Sequence, residues 1–237
     1  MERSLVLMII DDLEIYSRRS NASVECIHMF TGKPLGITCN FNEWGFRGPD
    51  YSDYVGLPVN ICLGDSFTVN HGAPVEHSWP SLLEEKLGTA TLNFGLDGAG
   101  NDTIKLIHER VNYYFDVQNV FVMYSFFHRR LIDGVLTQIV DSLDVNVKHF
   151  EQHFIPDAYY TFIPEWSWDD NEAGYIRAEH SQCLPTDYTN WQPGHVKKKQ
   201  RIHGTDKSLF NKDGMHMSLA RNQLVAEYFY QKVNVNG

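Results

Sequence analysis

The chain has 237 residues, of which 43% are hydrophobic and 21% are charged; this composition is typical of a globular protein, and the length suits one α/β domain. Its 30 Asp and Glu residues outnumber its 20 Lys and Arg residues, which gives a formal net charge of −10. A negative protein repels phosphate backbones and anionic lipid headgroups, so the charge argues against nucleic acids and membranes as partners.

The four cysteines, Cys26, Cys39, Cys62 and Cys183, show no CxxC pair and no clustering with histidines along the chain. This spacing argues against a zinc site, so no metal is expected. The apolar run of residues 5–10 is too short for a membrane helix and meets two aspartates at once, unlike a secretory signal. The sequence therefore predicts a soluble protein with reduced thiols, located in the cytoplasm.

The chain has no internal repeat, low-complexity segment or linker, so a single domain over residues 1–237 is predicted. Residues 1–56 are expected to form an N-terminal extension that packs on it, with a possible strand near residues 24–30. Residues 164–205 carry tryptophans and prolines with little periodicity, which predicts a long ordered loop inserted in the domain. The oligomeric state is left open.

Apolar runs of strand length alternate with helical patterns along the rest of the chain. The predicted strands cover residues 58–63, 89–94, 120–124 and 158–163. The predicted helices are a segment from Pro80 to Leu87, a segment capped by Asp102, residues 131–154 and a C-terminal segment capped by Ser218. This order predicts a parallel sheet with helices on both faces, that is, a three-layer α/β/α fold.

Ligands of parallel sheets bind beyond the carboxyl ends of the strands, and Ser66 follows the first predicted strand at such an end. A serine hydroxyl is a weak nucleophile unless an adjacent base takes its proton. The best candidate for that base is His216, which stands three residues after Asp213. At this spacing the Asp213 carboxylate can meet the Nδ1–H of His216 and leave Nε2 for Ser66, as in a Ser-His-Asp triad.

Three segments, taken in order, resemble the motif blocks of the SGNH (GDSL-type) hydrolases. They are Gly64-Asp65-Ser66-Phe67-Thr68 for the nucleophile block, Asn93 to Gly98 for the second block and Asp213 to His216 for the final DxxH block. The stretch of residues 42–48 also resembles a segment that often precedes the nucleophile block. The resemblance spans residues 42–230 and leaves residues 131–205 unmatched.

The resemblance implies a flavodoxin-like α/β/α fold and the hydrolysis of esters through an acyl-enzyme on Ser66. It makes His216 the base and Asp213 the residue that orients it, and it implies that the N–H groups of Ser66 and Gly98 line an oxyanion hole. Neither a metal nor an organic cofactor is required by such a mechanism. The expected substrate is a small-molecule or carbohydrate ester, with a small acyl group such as acetyl.

The third block departs from the family pattern. The family has Gly-x-Asn-Asp after the third strand, whereas this chain has Tyr124-Ser125-Phe126-Phe127-His128-Arg129-Arg130 there. Counting from the strand places His128 where the family has an asparagine that donates to the oxyanion, and an imidazole N–H can also donate. A buried histidine bonded to backbone is the alternative. The Gly100-Asn101-Asp102 sequence also resembles the missing block, but it follows the second strand directly after Gly98 and is therefore interpreted as the start and cap of a helix.

Two other functions remain open at this point. An acyltransferase on the same fold would pass the acyl group to a sugar hydroxyl instead of water, and a catalytically inactive domain would bind a glycan or another partner. Among the remaining polar residues, Arg47, Arg129 and Arg130 are expected at the surface or in salt bridges, with contact between Arg47 and the active-site region as the alternative. His71 is expected to face solvent.

Overall fold

The computed structural model of the chain describes residues 20–28, 31–139, 141, 143–163, 211–212 and 215–236. Strands β1 to β8 are, in order, Ser23–Ile27, Pro34–Asn40, Pro58–Gly64, Thr91–Gly95, Asp116–Tyr124, Arg129–Ile132, Val135–Gln138 and Tyr159–Phe162. Helices α1 to α5 are Ser66–Val69, Trp79–Leu87, Asn101–Tyr114, Leu143–Gln152 and Leu219–Asn236. The predicted loop of residues 164–205 lies outside the described residues.

The central sheet contains four strands in the order β4-β3-β5-β8, and all of its neighbouring strands are parallel. Strand β3 pairs with both β4 and β5, so it lies in the interior of the sheet and is almost entirely buried. Interior parallel strands are covered on both faces, which explains the continuous apolar run from which this strand was predicted.

Alternate side chains of the strands enter two separate hydrophobic cores, one on each face of the sheet. One core contains Val59, Ile61, Leu63, Phe94, Val122 and Tyr124 from the strands and Ile104, Ile107 and Val111 from α3. The other contains Cys62, Phe121 and Met123 from the strands, Trp79 and Leu83 from α2, and Val225, Ala226 and Phe229 from α5. The arrangement confirms the predicted three-layer α/β/α fold.

The segment that precedes the sheet contributes to the first core. Strands β1 and β2 form a separate antiparallel hairpin, and the turns that follow it bury Trp44, Phe46 and Tyr51. The Tyr51 ring lies 4.9 Å from the Phe94 ring, and the Trp44 ring lies 5.5 Å from the Phe115 ring. These aromatic contacts join the N-terminal segment to the sheet.

The predicted helix over residues 131–154 is wrong in its first half. Residues 129–138 form the antiparallel hairpin β6–β7, and α4 begins only at Leu143. The two-residue turn consists of Asp133 and Gly134, whose φ angles are 49° and 77°. An Asp-Gly pair flanked by strand-forming residues, here Ile132 and Val135, is a strong hairpin signal. A two-residue turn of this type requires positive φ at both positions, and Asp and Gly are among the residues that adopt it.

The boundaries of α2 and the start of α5 follow their sequence signals closely. Ser78 accepts a hydrogen bond from the N–H of Ser81 at the start of α2, and Gly88 ends that helix with a φ of 65°. The Ser218 hydroxyl accepts from the N–H of Arg221 at the start of α5. Within the described ranges, no helix has the length and apolar composition needed to cross a bilayer.

Candidate active site

Ser66 occupies the first position of α1, directly beyond the carboxyl end of β3, and is 9% exposed. Asp65 caps this short helix, because its Oδ1 accepts a hydrogen bond from the N–H of Phe67 at 3.0 Å. The N–H of the first helical residue has no acceptor within the helix. The N–H of Ser66 therefore has no acceptor within α1. Its oxyanion role stays a prediction.

Glycines allow α1 to lie directly on the ends of two strands. A Cβ atom on Gly95 would lie 2.7 Å from the backbone nitrogen of Val69 and 2.9 Å from the Cβ of Thr68. A Cβ atom on Gly64 would lie 2.9 Å from the carbonyl oxygen of Met123. Real Cβ atoms do not approach other atoms this closely, so the position of the Ser66 turn depends on glycine at both strand ends.

Asp65 also binds the segment that follows β5. Its Oδ2 accepts hydrogen bonds from the Ser125 hydroxyl at 3.0 Å and from the Arg129 guanidinium at 2.7 Å. The Asp65 side chain is fully buried, and the Arg129 side chain is 11% exposed. Burial raises the pKa of Asp65, and the Arg129 charge opposes that rise. The salt bridge predicted for Arg129 is confirmed, and it links the nucleophile block to the third block.

His216 lies against the same turn. Its side chain is buried, and its ring centroid is 5.0 Å from that of Phe67, the residue after Ser66. The fold thus brings His216 from near the C-terminal helix to the carboxyl edge of the sheet. Asp213 lies outside the described residues, so its role as the orienting carboxylate stays a prediction.

Asn222, on α5, holds the His216 segment in place and was missed by the sequence analysis. Its fully buried Nδ2 group donates to the carbonyl oxygens of Met217 and Ser218 at 3.2 and 3.0 Å. The same group reaches Oδ1 of Asn70, at the end of α1, at 3.2 Å. Its Oδ1 accepts from the N–H of Trp79 at 2.9 Å. A single amide therefore connects three elements around His216.

Gly98 lies in the turn after β4 with a φ of 75°, a backbone conformation that favours glycine. The hydrogen bond from the Leu96 N–H to the Gly64 carbonyl oxygen, at 2.9 Å, ties this turn to the end of β3. A Cβ atom on Gly98 would lie 3.5 Å from a methyl carbon of Leu136 on β7. The β6–β7 hairpin therefore packs beside the second block. The oxyanion role of Gly98 stays a prediction.

His128 is 1% exposed, and its ring centroid lies 5.6 Å from that of Phe126. Its carbonyl oxygen accepts from the N–H of Ile139 at 2.8 Å, which joins the third block to the end of the β6–β7 hairpin. The backbone position of His128 is thus well anchored. Its role as an oxyanion donor stays a prediction.

The interpretation of Gly100-Asn101-Asp102 as a helix start is confirmed, although Gly100 rather than Asp102 is the capping residue. Asp102 lies in the first turn, where it accepts hydrogen bonds from the N–H groups of Thr103 and Leu131. Asn101 is also buried and exchanges two hydrogen bonds with the backbone of Ser125, at 2.8 and 3.1 Å. This asparagine therefore fixes the start of the third block.

The prediction that Arg47 lies at the surface or in a salt bridge is wrong. Its side chain is 2% exposed and donates to the backbone carbonyl oxygens of Val69, Asn70 and Ala73. The last carbonyls of a helix lack intrahelical donors, and a four-residue helix consists almost entirely of such ends. The guanidinium of Arg47 supplies these donors and so stabilises the end of α1.

The expectation that His71 faces solvent is also wrong. Its Nε2 lies 2.6 Å from Oδ1 of Asp97, the residue before Gly98, and its ring centroid lies 5.7 Å from that of His216. Burial opposes a charge on the ring, but the Asp97 carboxylate outweighs burial and raises the pKa of His71 to about 11. His71 therefore links the second block to the surroundings of His216.

Arg130 is buried, contrary to the expectation of a surface position. It is 7% exposed and donates to the carbonyl oxygens of Phe127 and Arg129 and to Oδ1 of Asn146 on α4. Its side chain therefore binds the backbone of the third-block turn and connects that turn to α4.

Comparison with known proteins finds solved structures that match the chain at low sequence identity. No protein-family model matches the chain, and no curated protein sequence matches it. A G-D-S-L family lipolytic protein from Veillonella parvula is 14% identical, with 73% of this chain and 97% of that chain covered and a TM-score of 0.43. A lipase/acylhydrolase from Enterococcus faecalis is 13% identical, with coverages of 76% and 96% and a TM-score of 0.42. A psychrotrophic esterase from Pseudoalteromonas is 14% identical, with coverages of 76% and 99% and a TM-score of 0.42.

The Asp65–Arg129 pair yields a stability prediction. Arg129→Met leaves the buried Asp65 carboxylate without its cation, so the free energy of unfolding should fall by about 3 kcal/mol in urea titrations at pH 8. The loss should shrink as the pH is lowered, because the pKa of Asp65 is already raised and protonation removes the stranded charge.

Lys86→Met is the matched control for Arg129→Met. It breaks the Lys86–Glu227 pair, which has the same N–O distance of 2.7 Å but is 35% and 42% exposed. Exposed pairs contribute little to stability, so its urea midpoint should match that of the unsubstituted protein. Equal losses for the two variants would contradict the role given to the buried pair.

Asn222→Ala should lower the free energy of unfolding by about 1–3 kcal/mol, because it leaves the buried N–H of Trp79 and the carboxamide of Asn70 without their partner. Asn112→Ala provides the control. Asn112 is exposed on α3, and its amide bonds to His108, one turn away on the same helix. An unchanged unfolding curve for Asn222→Ala would show that this amide does not hold the elements together.

Proposed function

We propose that the protein is a serine ester hydrolase of the SGNH type, with Ser66 as nucleophile and His216 as its base. The observation that carries the proposal is the contact of the His216 ring with Phe67, the residue next to Ser66, at the carboxyl edge of the parallel sheet. Ligands of such sheets bind at this edge, and a serine needs a neighbouring base to act as a nucleophile.

The reaction proceeds through an acyl-enzyme. Ser66 Oγ attacks the ester carbonyl while His216 takes the hydroxyl proton, and the tetrahedral oxyanion accepts hydrogen bonds from the N–H groups of Ser66 and Gly98. The alcohol leaves with the proton from His216. A water molecule, deprotonated by His216, then attacks the acyl carbonyl and releases the acid and Ser66. Asp213 orients the His216 ring in this scheme.

A small acyl group on a neutral alcohol, such as a carbohydrate, is the substrate class that we assign. The net charge of −10 disfavours anionic substrates at the site. Leu136 packs beside Gly98, so one apolar side chain lies near the proposed oxyanion hole. We assign a short acyl chain because the sequence shows no long apolar segment that could serve as a lid.

Labelling with a fluorophosphonate probe tests the nucleophile directly. The probe should add one phosphonyl group to the unsubstituted protein, and peptide mass spectrometry should locate it on Ser66. The label should vanish in Ser66→Ala and persist in Ser78→Ala, which removes a buried helix-cap hydroxyl elsewhere in the chain. Absence of labelling in the folded, unsubstituted protein would favour a catalytically inactive binding domain.

Hydrolysis of chromogenic acetyl esters by the unsubstituted protein and by His216→Gln tests the base. His216→Gln should lower kcat by about 10³-fold or more, because the Ser66 hydroxyl loses its proton acceptor. Product analysis with and without sugar acceptors separates the hydrolase from an acyltransferase, since only the transferase gives an acylated sugar. Activity of His216→Gln equal to that of the unsubstituted protein would remove His216 from the mechanism.

The unusual third block yields a separate kinetic prediction. If the His128 N–H donates to the oxyanion, His128→Ala should lower kcat by about 10²–10³-fold with little change in KM, which is the usual cost of losing one such donor. His128→Asn should retain activity, since an amide N–H can replace the imidazole N–H. Equal losses for the two variants, with both proteins folded, would assign His128 a structural role.

A further inference from the structure

The β1–β2 hairpin buries two cysteines on the side that faces the loop after α1. Cys26 is 5% exposed and Cys39 is fully buried, and their sulfur atoms lie 2.7 Å apart. The ring of His71 approaches both thiols, with its Nδ1 3.6 Å from the Cys39 sulfur. The three potential ligand atoms all lie within 4.8 Å of one another.

The opposite side of the His71 ring is held by a carboxylate. Nε2 lies 2.6 Å from Oδ1 of Asp97, which accepts its N–H, so Nδ1 is the ring nitrogen that is directed at the two sulfurs. Metal-binding histidines nearly always donate their second N–H to a carboxylate, a carbonyl or water in this way. The Asp97–His71 pair therefore has the orientation of a metal ligand with its supporting carboxylate.

We propose that Cys26, Cys39 and His71 bind a zinc ion, with Asp97 as the positioning residue behind His71. Two thiolates and one imidazole form a donor set that suits zinc, and three protein ligands leave one tetrahedral position for water. Binding displaces the protons held by the two sulfurs and by Nδ1 of His71, and these protons are released to solvent. This site is separate from the proposed ester chemistry, which requires no metal.

The sulfur–nitrogen distance between Cys39 and His71 fits a zinc site, whereas the sulfur–sulfur distance between Cys26 and Cys39 must increase. Tetrahedral zinc bonds of about 2.3 Å to sulfur and about 2.1 Å to nitrogen place these atoms about 3.6 Å apart, which is the separation of the Cys39 sulfur and His71 Nδ1. Two sulfurs on one zinc lie about 3.8 Å apart. The Cys26 and Cys39 sulfurs must therefore separate by about 1 Å, which requires rotation about one Cα–Cβ bond.

Zinc would connect the hairpin to the rest of the protein. The buried apolar cluster beneath the hairpin contains only the two cysteines, Phe41 and Val69 among the described residues, and a two-stranded ribbon is marginally stable alone. A disulfide would join two strands that are already paired with each other. Zinc would join both strands to His71 and, through Asp97, to the turn that carries Gly98.

Metal analysis of the protein purified without chelators tests the proposal. Elemental analysis by mass spectrometry should find about one zinc per chain, as expected for one such site. Cys39→Ser and His71→Gln should each lose this zinc. Cys62→Ala removes a buried thiol from the core between the sheet and helices α2 and α5, and this variant should retain the zinc. Zinc retained at the same level in both ligand variants would overturn the proposal.

Thiol counting distinguishes zinc from a disulfide in the unsubstituted protein. Titration with a thiol reagent, in denaturant and chelator without reductant, should find all four cysteines reactive. A count lower by two, together with the absence of zinc, would assign a Cys26–Cys39 disulfide and overturn the proposal. Four reactive thiols in a protein that takes up no zinc on titration would overturn it as well.

Cobalt substitution keeps the test valid if a ligand variant fails to fold. Adding Co²⁺ to the unsubstituted, metal-depleted protein should produce thiolate-to-cobalt charge-transfer absorption, which a site without sulfur ligands cannot give. Asp97→Asn should lower zinc affinity by about 10–100-fold in competition with a chelator, while its circular dichroism stays unchanged. Undiminished affinity in Asp97→Asn would remove Asp97 from the site.

Discussion

The buried carboxylate of Asp65 is the constraint on which the candidate site depends. It caps the helix that begins at Ser66, and its second oxygen binds the Ser125 hydroxyl and the Arg129 guanidinium. A carboxylate with no exposure to water must keep these partners, because an unpaired buried charge costs several kcal/mol. The first and third blocks are therefore fixed relative to each other before any substrate binds, as catalysis by preorganised groups requires.

Two further polar side chains extend this rigidity to the end of α1 and to His216. Arg47 satisfies the carbonyl oxygens at the end of α1, and Asn222 joins Asn70 to the segment that carries His216. Each is almost fully buried, so each contributes by satisfying backbone groups that water cannot reach. The helix that begins at Ser66 is thus held at its start by Asp65 and at its end by Arg47 and Asn222.

The sequence was sufficient for the sheet and most helices, because buried parallel strands and helix caps leave local signals such as the apolar run before Gly64. The failures have two causes. The Asp133-Gly134 pair is a local hairpin signal, but the apolar spacing around it also fits a helix. The burial of Arg47, the amide of Asn222 and the cluster of Cys26, Cys39 and His71 depend on contacts between distant segments. Such contacts have no motif, so only the fold reveals them.

The most direct test of the account is a crystal structure of the protein after reaction with a fluorophosphonate. The account predicts a phosphorus–oxygen bond to Ser66 Oγ, with Nε2 of His216 within hydrogen-bonding distance of that oxygen, at about 2.6–3.2 Å. An adduct on another residue would contradict it. An adduct on Ser66 with the His216 ring directed away from the oxygen would also contradict it, because His216 could then not accept the hydroxyl proton.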